Sequence, residues 1–296
     1  MSSLLDEALK EKYRMNAIND PLAFAKDAID WTAFPPLLKD LYHNDTDNGG
    51  RPNIPIKTMV KILFLQSMFN MADEQAEKLI RDRISFMNFL DYPDILPDAK
   101  TIWYFRERIS KTGRDRIIWN ELQRQLATFI TSDPGHVKHE EPGSEGKTRR
   151  SRDGSFTKKN SKTFFGFKGH TIVHDNNPVP VIRSYAVTTA KDHDTRIDLS
   201  KRGIIVYMDK GYFGHDTKGI DGTMDRAVRN HKLSIESVRR NRRISRKRSL
   251  VEYPYAVMKR MFHFSHVMVT LVRRVMVKFM FACSGYNVHV LKIVRG

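Results

Sequence analysis

Hydrophobic side chains in the first 115 residues recur at the three- and four-residue spacing that defines one face of an α-helix. The most regular set lies within residues 60–71, and a less regular set lies within residues 76–84. Asp73 and Asp98 are candidate N-caps of the second helix and of a third one, because a short acidic side chain accepts hydrogen bonds from a first helical turn. The pattern predicts a helical N-terminal domain over residues 1–115.

The third predicted helix is also basic. Its apolar residues share one side, whereas Arg106, Arg108 and Lys111 lie on or near the other side. Several short helices of which the last is basic are typical of helical DNA-binding modules, although any small helical domain has the same pattern. We therefore expect residues 1–115 to form a domain for DNA binding or dimerisation, with a purely structural role left open.

Strand patterns dominate the middle of the chain. Four runs are β-branched or alternate between apolar and polar residues, which predicts strands. These runs are residues 127–131, 163–173, 179–189 and 204–208. A turn at residues 175–178 joins the second and third runs into a hairpin. With helices following from residue 254, the order predicts an α/β fold, a mixed sheet flanked by helices, in a second domain over residues 116–296.

The segment 134–161 is polar, basic and glycine-bearing, which predicts a loop within the second domain. His136 and His139 lie three residues apart in this segment, beside Glu140. These side chains are either metal ligands or solvated loop residues.

Composition adds a polyanionic partner to this picture. The chain has 296 residues, a formal net charge of +17 and a pI of about 9.9, a balance that DNA-binding and RNA-binding proteins share. The only cysteine, Cys283, excludes an intramolecular disulfide and indicates a reducing compartment such as the cytoplasm. The apolar stretch 267–283 contains Arg273, Arg274 and Lys278, which predicts a basic buried or interfacial helix and not a membrane span.

The positive charge is concentrated after the last predicted strand. Residues 239–248 carry seven basic side chains and no acidic one. Such a run is either a solvated face or a phosphate-binding surface, and its place between apolar segments favours the phosphate-binding surface. Its members are Arg239, Arg240, Arg242, Arg243, Arg246, Lys247 and Arg248.

Two carboxylates are candidates for chemistry. Asp209 directly follows the predicted strand 204–208 and precedes a glycine turn. Glu252 lies four residues after Arg248 and seven before Lys259, offsets that share a face if one helix continues, although a surface salt-bridge ladder has the same spacing. Ser249 and Glu252 resemble a capping box, and Pro254 requires that a helix begins nearby. A strand-end Asp and a helical Glu can hold Mg²⁺, which prefers carboxylate oxygens.

Several motifs in this order make the sequence similar to the DDE transposases of bacterial and archaeal insertion sequences, in particular to the IS-five group. The resemblance covers most of the chain and includes IPIKTMVKILFLQSMFNMADEQAEKLIRDRISFMNFL, LPDAKTIWYFRERI, TRRSRDGSFTKKNSKTFFGFKGH, VTTAKDHD, MDKGYFG and RNRRISRKRSLVEYPYAVMKR. It implies a ribonuclease-H-like catalytic domain in the second half.

The resemblance also implies roles. Asp209 is expected to be the second catalytic acid and Glu252 the third, both holding Mg²⁺, for which Mn²⁺ can substitute. Arg248 and Lys259 are expected near the DNA phosphates. The implied partners are double-stranded DNA, as the terminal inverted repeats and the target, and a second copy of the chain on that DNA, in a cytoplasmic, nucleoid-associated protein.

One family feature is missing. The resemblance places the first catalytic aspartate directly before an Ala-Thr-Phe-Ile-like strand, and Leu126 stands there, which implies an internally shortened copy. Five other acids are candidate replacements: Asp133, Asp153, Asp175, Asp192 and Asp194. We expect a transposase with impaired strand cleavage, or alternatively an inactive DNA-binding relic that occupies element ends or inhibits an intact transposase. An unrelated RNA-binding protein is the third alternative.

Overall fold

The structure is a computed structural model. It describes residues 4–16, 20–42, 52–127, 135–140, 143–144, 151–159, 162–175, 179–193, 197–214, 216–229 and 231–295, with residues 135–140 and 143–144 described by their backbone alone.

The N-terminal part is helical, as its periodicity predicts. Its helices are α1 (Leu4–Asn16), α2 (Pro21–Ala28), α3 (Phe34–Leu37), α4 (Ile56–Met68), α5 (Asp73–Asp82), α6 (Ile84–Phe89), α7 (Ala99–Thr112) and α8 (Asp115–Leu126). Nearly every residue of α4 is buried, so this helix forms the centre of the bundle. Asp98 caps α7 by accepting a hydrogen bond from the Thr101 amide at 2.7 Å, which confirms that prediction.

Two predictions about this part are wrong. Ala72, not Asp73, is the N-cap of α5, and its amide donates a hydrogen bond to the Gln75 side chain. Arg106 does not belong to a basic outer surface; its side chain is only 3% exposed. Both errors have the same cause, since Asp73 accepts two hydrogen bonds from Arg106 inside the bundle.

The sheet has seven strands: β1 (Gly135–Glu140), β2 (Gly143–Ser144), β3 (Ser155–Lys159), β4 (Lys162–His174), β5 (Val181–Thr189), β6 (Ile205–Met208) and β7 (Ile220–Thr223). The main order across the sheet is β5-β4-β1-β6-β7, with β2 and β3 pairing with the first half of β4. β1, β4 and β5 pair antiparallel, whereas β6 joins β1 and β7 joins β6 in parallel. This mixed sheet with flanking helices is consistent with a ribonuclease-H-like fold and confirms the predicted fold class.

The predicted strands β4, β5 and β6 are confirmed, but the predicted first strand and loop are not. Ala127 still has helical backbone angles at the end of α8, because the apolar repeat of that helix continues to Leu126. The first strand among the described residues is β1, inside the predicted loop 134–161, which also contains β3. Pairing with the long strand β4 overrides the polar composition of this segment. Residues 128–134, and residues 176–178 of the predicted turn, lie outside the described residues.

Three helices complete the fold: α9 (Ile235–Ser249), α10 (Glu252–Met261) and α11 (Val272–Arg295). α11 lies at the centre, where it packs against β5 on one side and against α4, α7 and α8 on the other. One hydrophobic cluster therefore extends from Leu22 to Val290, and the two predicted domains share a core. A small second cluster of Ile172, Val206, Met208 and Tyr212 lies under β6.

Basic residues of α11 contact the N-terminal helices through polar side chains. The Lys278 ammonium donates to the Met71 carbonyl at 3.0 Å, and Arg273 and Arg274 both pair with Glu107. Together with Gln66, Asp73 and Arg106, these residues form what we call the interhelix ionic network. The prediction of a basic buried or interfacial helix is confirmed. None of the helices in the described ranges is both long enough and apolar enough to cross a bilayer.

Candidate functional site

Asp209 lies where β6 ends, and the local sequence fixes its position. Val206 and Met208 anchor the strand by pointing into the small hydrophobic cluster. Asp209 then caps the short 3₁₀ turn Lys210–Tyr212, accepting a hydrogen bond from the Gly211 amide at 2.8 Å. A β-carbon at position 211 would lie 3.0 Å from the Asp209 Oδ1 atom, so glycine suits this turn. The carboxylate is 46% exposed and open to a ligand from solvent.

Arg248 in the last turn of α9 is the ion-pair partner of Asp209. One guanidinium nitrogen lies 3.8 Å from the Asp209 Oδ2 atom, too far for a direct hydrogen bond. This positive charge would oppose a metal ion at the carboxylate and attract a phosphate.

Glu252 is the first residue of α10 and is exposed. The predicted position in a first helical turn is therefore confirmed, and Pro254 fits there because amides of the first turn need no helical acceptor. The predicted capping box is wrong: Val251 is the N-cap, and the Ser249 hydroxyl donates to the Arg246 carbonyl.

The chain bends at residues 250–251, between α9 and α10. Arg248 therefore lies on a different helix from Glu252 and Lys259, so the prediction that these three share one helix face is wrong for Arg248. Lys259 is exposed two turns further along α10 and lines a small apolar cavity with Tyr255 and Phe279.

The basic run forms most of α9, with its charges divided between two uses. Arg240 donates to the Thr223 carbonyl at 2.7 Å and pairs with Asp225, while Lys247 pairs with Asp175 at 3.2 Å. Apart from Arg248, the other arginines of the run are exposed and have no ion pair with any residue that the structure describes. They are spaced like one helix face, and we call them the arginine stripe: Arg239, Arg242, Arg243 and Arg246.

One positioning residue of α9 was not predicted. Asn241 is buried and exchanges hydrogen bonds with the Asp225 backbone, accepting from its amide at 2.8 Å and donating to its carbonyl at 3.0 Å. With Ile244 it attaches α9 to the sheet and turns the arginine stripe outward. In the sequence, this role is indicated by an asparagine three residues before an isoleucine within a run of arginines, a spacing that puts both on one helix face.

Family comparison agrees with this architecture. Residues 132–288, more than half of the chain, match the family model described as a Transposase DDE domain, and residues 10–108 match the one described as a Transposase domain (DUF772). The chain belongs to the DDE transposase family. No solved structure matches it significantly. DDE transposases generally use divalent metal ions, and carboxylates such as those of Asp209 and Glu252 are the ligands that such ions prefer.

Three of the five candidate replacements for the first catalytic acid of this transposase already have hydrogen-bond or ion-pair partners in the structure. Asp153 caps α11 by accepting from the Val272 amide at 2.8 Å, Asp175 pairs with Lys247, and Asp192 accepts from the Thr189 amide. Asp133 and Asp194 lie outside the described residues. Among the side chains that the structure describes, no three His, Cys, Asp or Glu residues form a group that could hold a metal ion.

The structure also differs from the prediction at position 126, where the resemblance places the first aspartate. Leu126 is buried at the end of α8, not at the start of a strand. The parallel register pairs His136 of β1 with Tyr207 of β6. Asp209 directly follows Met208, the last residue of β6. The side chains that the structure describes around Asp209 do not supply a complete metal site.

His136 and His139, the alternative metal ligands, both lie on β1. Residues an odd number of positions apart face opposite sides of a strand, so these two positions are on different faces of the sheet. The structure does not support a shared metal site at these histidines.

Proposed function

We propose that this transposase binds double-stranded DNA at the terminal inverted repeats of an insertion sequence, and that its metal-dependent strand cleavage and transfer are impaired. The arginine stripe supports DNA binding. Its four cations are exposed, share one face of α9 and have no described carboxylate partner, so they are available for phosphates. Arg240, Lys247 and Arg248 lie on the same helix as the stripe, and we propose that they and Lys259 of α10 belong to the same interface.

Asp209 and Glu252 are the proposed catalytic and metal-binding acids. Their carboxylates suit Mg²⁺, with Mn²⁺ as a substitute, and a divalent ion would supply Lewis-acid stabilisation to a phosphoryl displacement. The observation that carries the proposal of impaired chemistry is at position 126, where the family resemblance places the first acid and a buried leucine ends α8. The Arg248 guanidinium beside Asp209 would also oppose a bound cation.

The second candidate function is a DNA-binding relic that occupies element ends or inhibits an intact transposase. The pairing of Arg248 with Asp209 favours it, because the guanidinium would compete with a metal ion for the carboxylate. Pairing two DNA ends requires at least two copies of the chain, so we propose a homodimer on DNA. DNA binding would also place the protein at the nucleoid.

The test is a nicking assay on duplex DNA that carries the ends of its own element, with Mg²⁺ and then Mn²⁺. We expect binding with little or no nicking by the unmodified protein, and Asp209→Ala as the control for any cleavage. Strong nicking that Asp209→Ala abolishes would contradict the impaired site. Failure to bind duplex DNA would contradict both candidate functions.

A gain-of-function variant separates the missing acid from other defects. Leu126→Asp restores a carboxylate at the position where the family resemblance places the first catalytic acid, so we expect metal-dependent nicking to increase. Leu122→Asp, which puts a carboxylate at another buried position of α8, is the matched control and should not increase it. Equal, low nicking by both variants would show that the acid missing at position 126 is not what limits cleavage.

A further inference from the structure

An open groove lies between α9 and the outer strands β6 and β7, with a volume of about 1270 Å³ including its solvent-filled mouth. Its floor is apolar and aromatic, and its wall on α9 is cationic. The floor includes Ile205, Tyr207 and Ile220, and the wall includes Arg243, Arg246 and Lys247. The groove is thus continuous with the arginine stripe, and it is large enough to admit part of a ligand beyond the phosphates.

Gly222 of β7 determines how Tyr207 lies in the groove. A β-carbon at position 222 would come within 3.0 Å of the Tyr207 Cδ1 atom and within 2.8 Å of the Val206 carbonyl oxygen. The ring therefore approaches the Gly222 backbone closely, and Tyr207 and Gly222 both line the groove. A flat aromatic surface supported by backbone is suited to stacking with another planar group.

The groove leads to Asp209. Tyr207 and Asp209 are two residues apart on β6 and its extension, so they face the same side, at roughly 6.6 Å along the strand. On the opposite wall, Lys247 lines the groove and its neighbour Arg248 contacts Asp209. A strand of DNA whose phosphate lies at Asp209 would have the base of an adjoining nucleotide at Tyr207.

We propose that this groove binds an unpaired nucleobase, stacked on Tyr207, next to the phosphate at Asp209. This inference rests on the proposed DNA-binding function and adds that the bound DNA is locally unpaired. The groove lining is positive overall, because it has four cationic side chains and two carboxylates, of which Asp175 pairs with Lys247. An apolar, aromatic floor with a cationic rim matches single-stranded nucleic acid, in which bases are free to stack while phosphates meet cations.

The first test uses the unmodified protein and three DNAs of equal length: a single-stranded thymidine oligonucleotide, its abasic counterpart and a duplex. We expect the thymidine oligonucleotide to bind at least about fivefold more tightly than the abasic strand, because base–aromatic stacking adds affinity that phosphates alone do not. Equal affinity would overturn the proposal, since it would mean that the groove binds any polyanion. Duplex binding tests the proposed function separately: if it persists while the base effect is absent, only the base site fails.

The second test locates the stacking. An oligonucleotide containing 2-aminopurine should lose fluorescence on binding to the unmodified protein and to Tyr207→Phe, which keeps the ring. Tyr207→Leu should lose most of this quenching and about fivefold or more in affinity for the thymidine strand, with duplex affinity little changed. Phe156→Leu, which removes an exposed ring on β3, is the matched control and should behave like the unmodified protein. Undiminished quenching with Tyr207→Leu would overturn the assignment to this groove.

Discussion

The interhelix ionic network and the arginine stripe show two uses of the same residue type. In the network, Arg106 is buried with Asp73 and Gln66, and Arg273 and Arg274 converge on Glu107. In the stripe, the arginines are exposed and lack described partners. The network joins α11 to the N-terminal helices. The stripe lies on α9, which packs near β6, where the buried hydrophobic cluster is small. Cations in the core are thus expected to determine stability, and cations on α9 to determine binding.

The largest expected effect comes from breaking the network. Arg106→Met leaves the Asp73 carboxylate without its main partner in a largely dehydrated place, so we expect the free energy of unfolding to fall by about 3–5 kcal/mol. Chemical denaturation measures this change. Arg242→Met, which removes an exposed cation from the stripe, should change the unfolding free energy by less than about 0.5 kcal/mol. Similar losses in the two variants would end the distinction between the two regions.

A pH series sharpens the comparison within the network. Burial lowers the pKa of the Lys278 ammonium from its usual 10.5 to about 7, and the nearby Arg106 cation lowers it further while Asp73 opposes the decrease. Between these two pKa values the unfolded chain binds more protons than the folded protein, so this group makes the free energy of unfolding rise with pH. From pH 7 to pH 10 the contribution is on the order of 4 kcal/mol.

Lys278→Met removes this contribution. Denaturation at several pH values should therefore show the unmodified protein gaining stability relative to Lys278→Met as pH rises from 7 to 10. Parallel curves would mean that Lys278 remains charged in the folded protein.

The arginine stripe should show the opposite profile, with binding affected and stability preserved. Replacing Arg242, Arg243 and Arg246 together by Ala should reduce the slope of log affinity against log salt concentration by up to about 2.7, since each lost phosphate contact contributes about 0.9. Fluorescence anisotropy with labelled duplex DNA measures the slope. The control removes three other exposed cations, Lys39, Arg202 and Arg295, and should leave the slope nearly unchanged. Equal changes would indicate a general charge effect.

A small stability effect is also expected at the Asp209 ion pair. Arg248→Gln removes a partly exposed pair with a 3.8 Å separation, so the unfolding free energy should change by less than about 1 kcal/mol. DNA affinity should nevertheless decrease, because Arg248 lies at the end of the groove. A large loss of stability would place Arg248 with the network and not with the binding surface.

Sequence patterns predicted those parts of the fold in which local periodicity and tertiary contacts agree. The strands β4, β5 and β6, the N-terminal helices and the Asp98 cap follow from apolar spacing and local hydrogen bonding. Asp209 at a strand end and Glu252 in a first helical turn were predicted in the same way. Their roles as metal ligands stay predictions.

The remaining features depend on contacts between distant segments. β1 has a polar sequence and becomes a strand because β4 pairs with it along its whole length. Arg106 looks like a surface cation in the sequence, and only the approach of Asp73 from α5 makes its burial possible. The bend at residues 250–251 separates Arg248 from Glu252, and spacing along one helix could not reveal it.

The sequence by itself determined that this chain is a basic, mixed α/β member of the DDE transposase family, because charge, periodicity and ordered motifs are local properties of the chain. Only the tertiary structure decided which cations are available to DNA and which cation lies beside Asp209. Burial and helix packing arise from segments far apart in the chain, so they assign seemingly equivalent arginines to the core or to solvent, and they set Arg248 of α9 next to the candidate catalytic carboxylate.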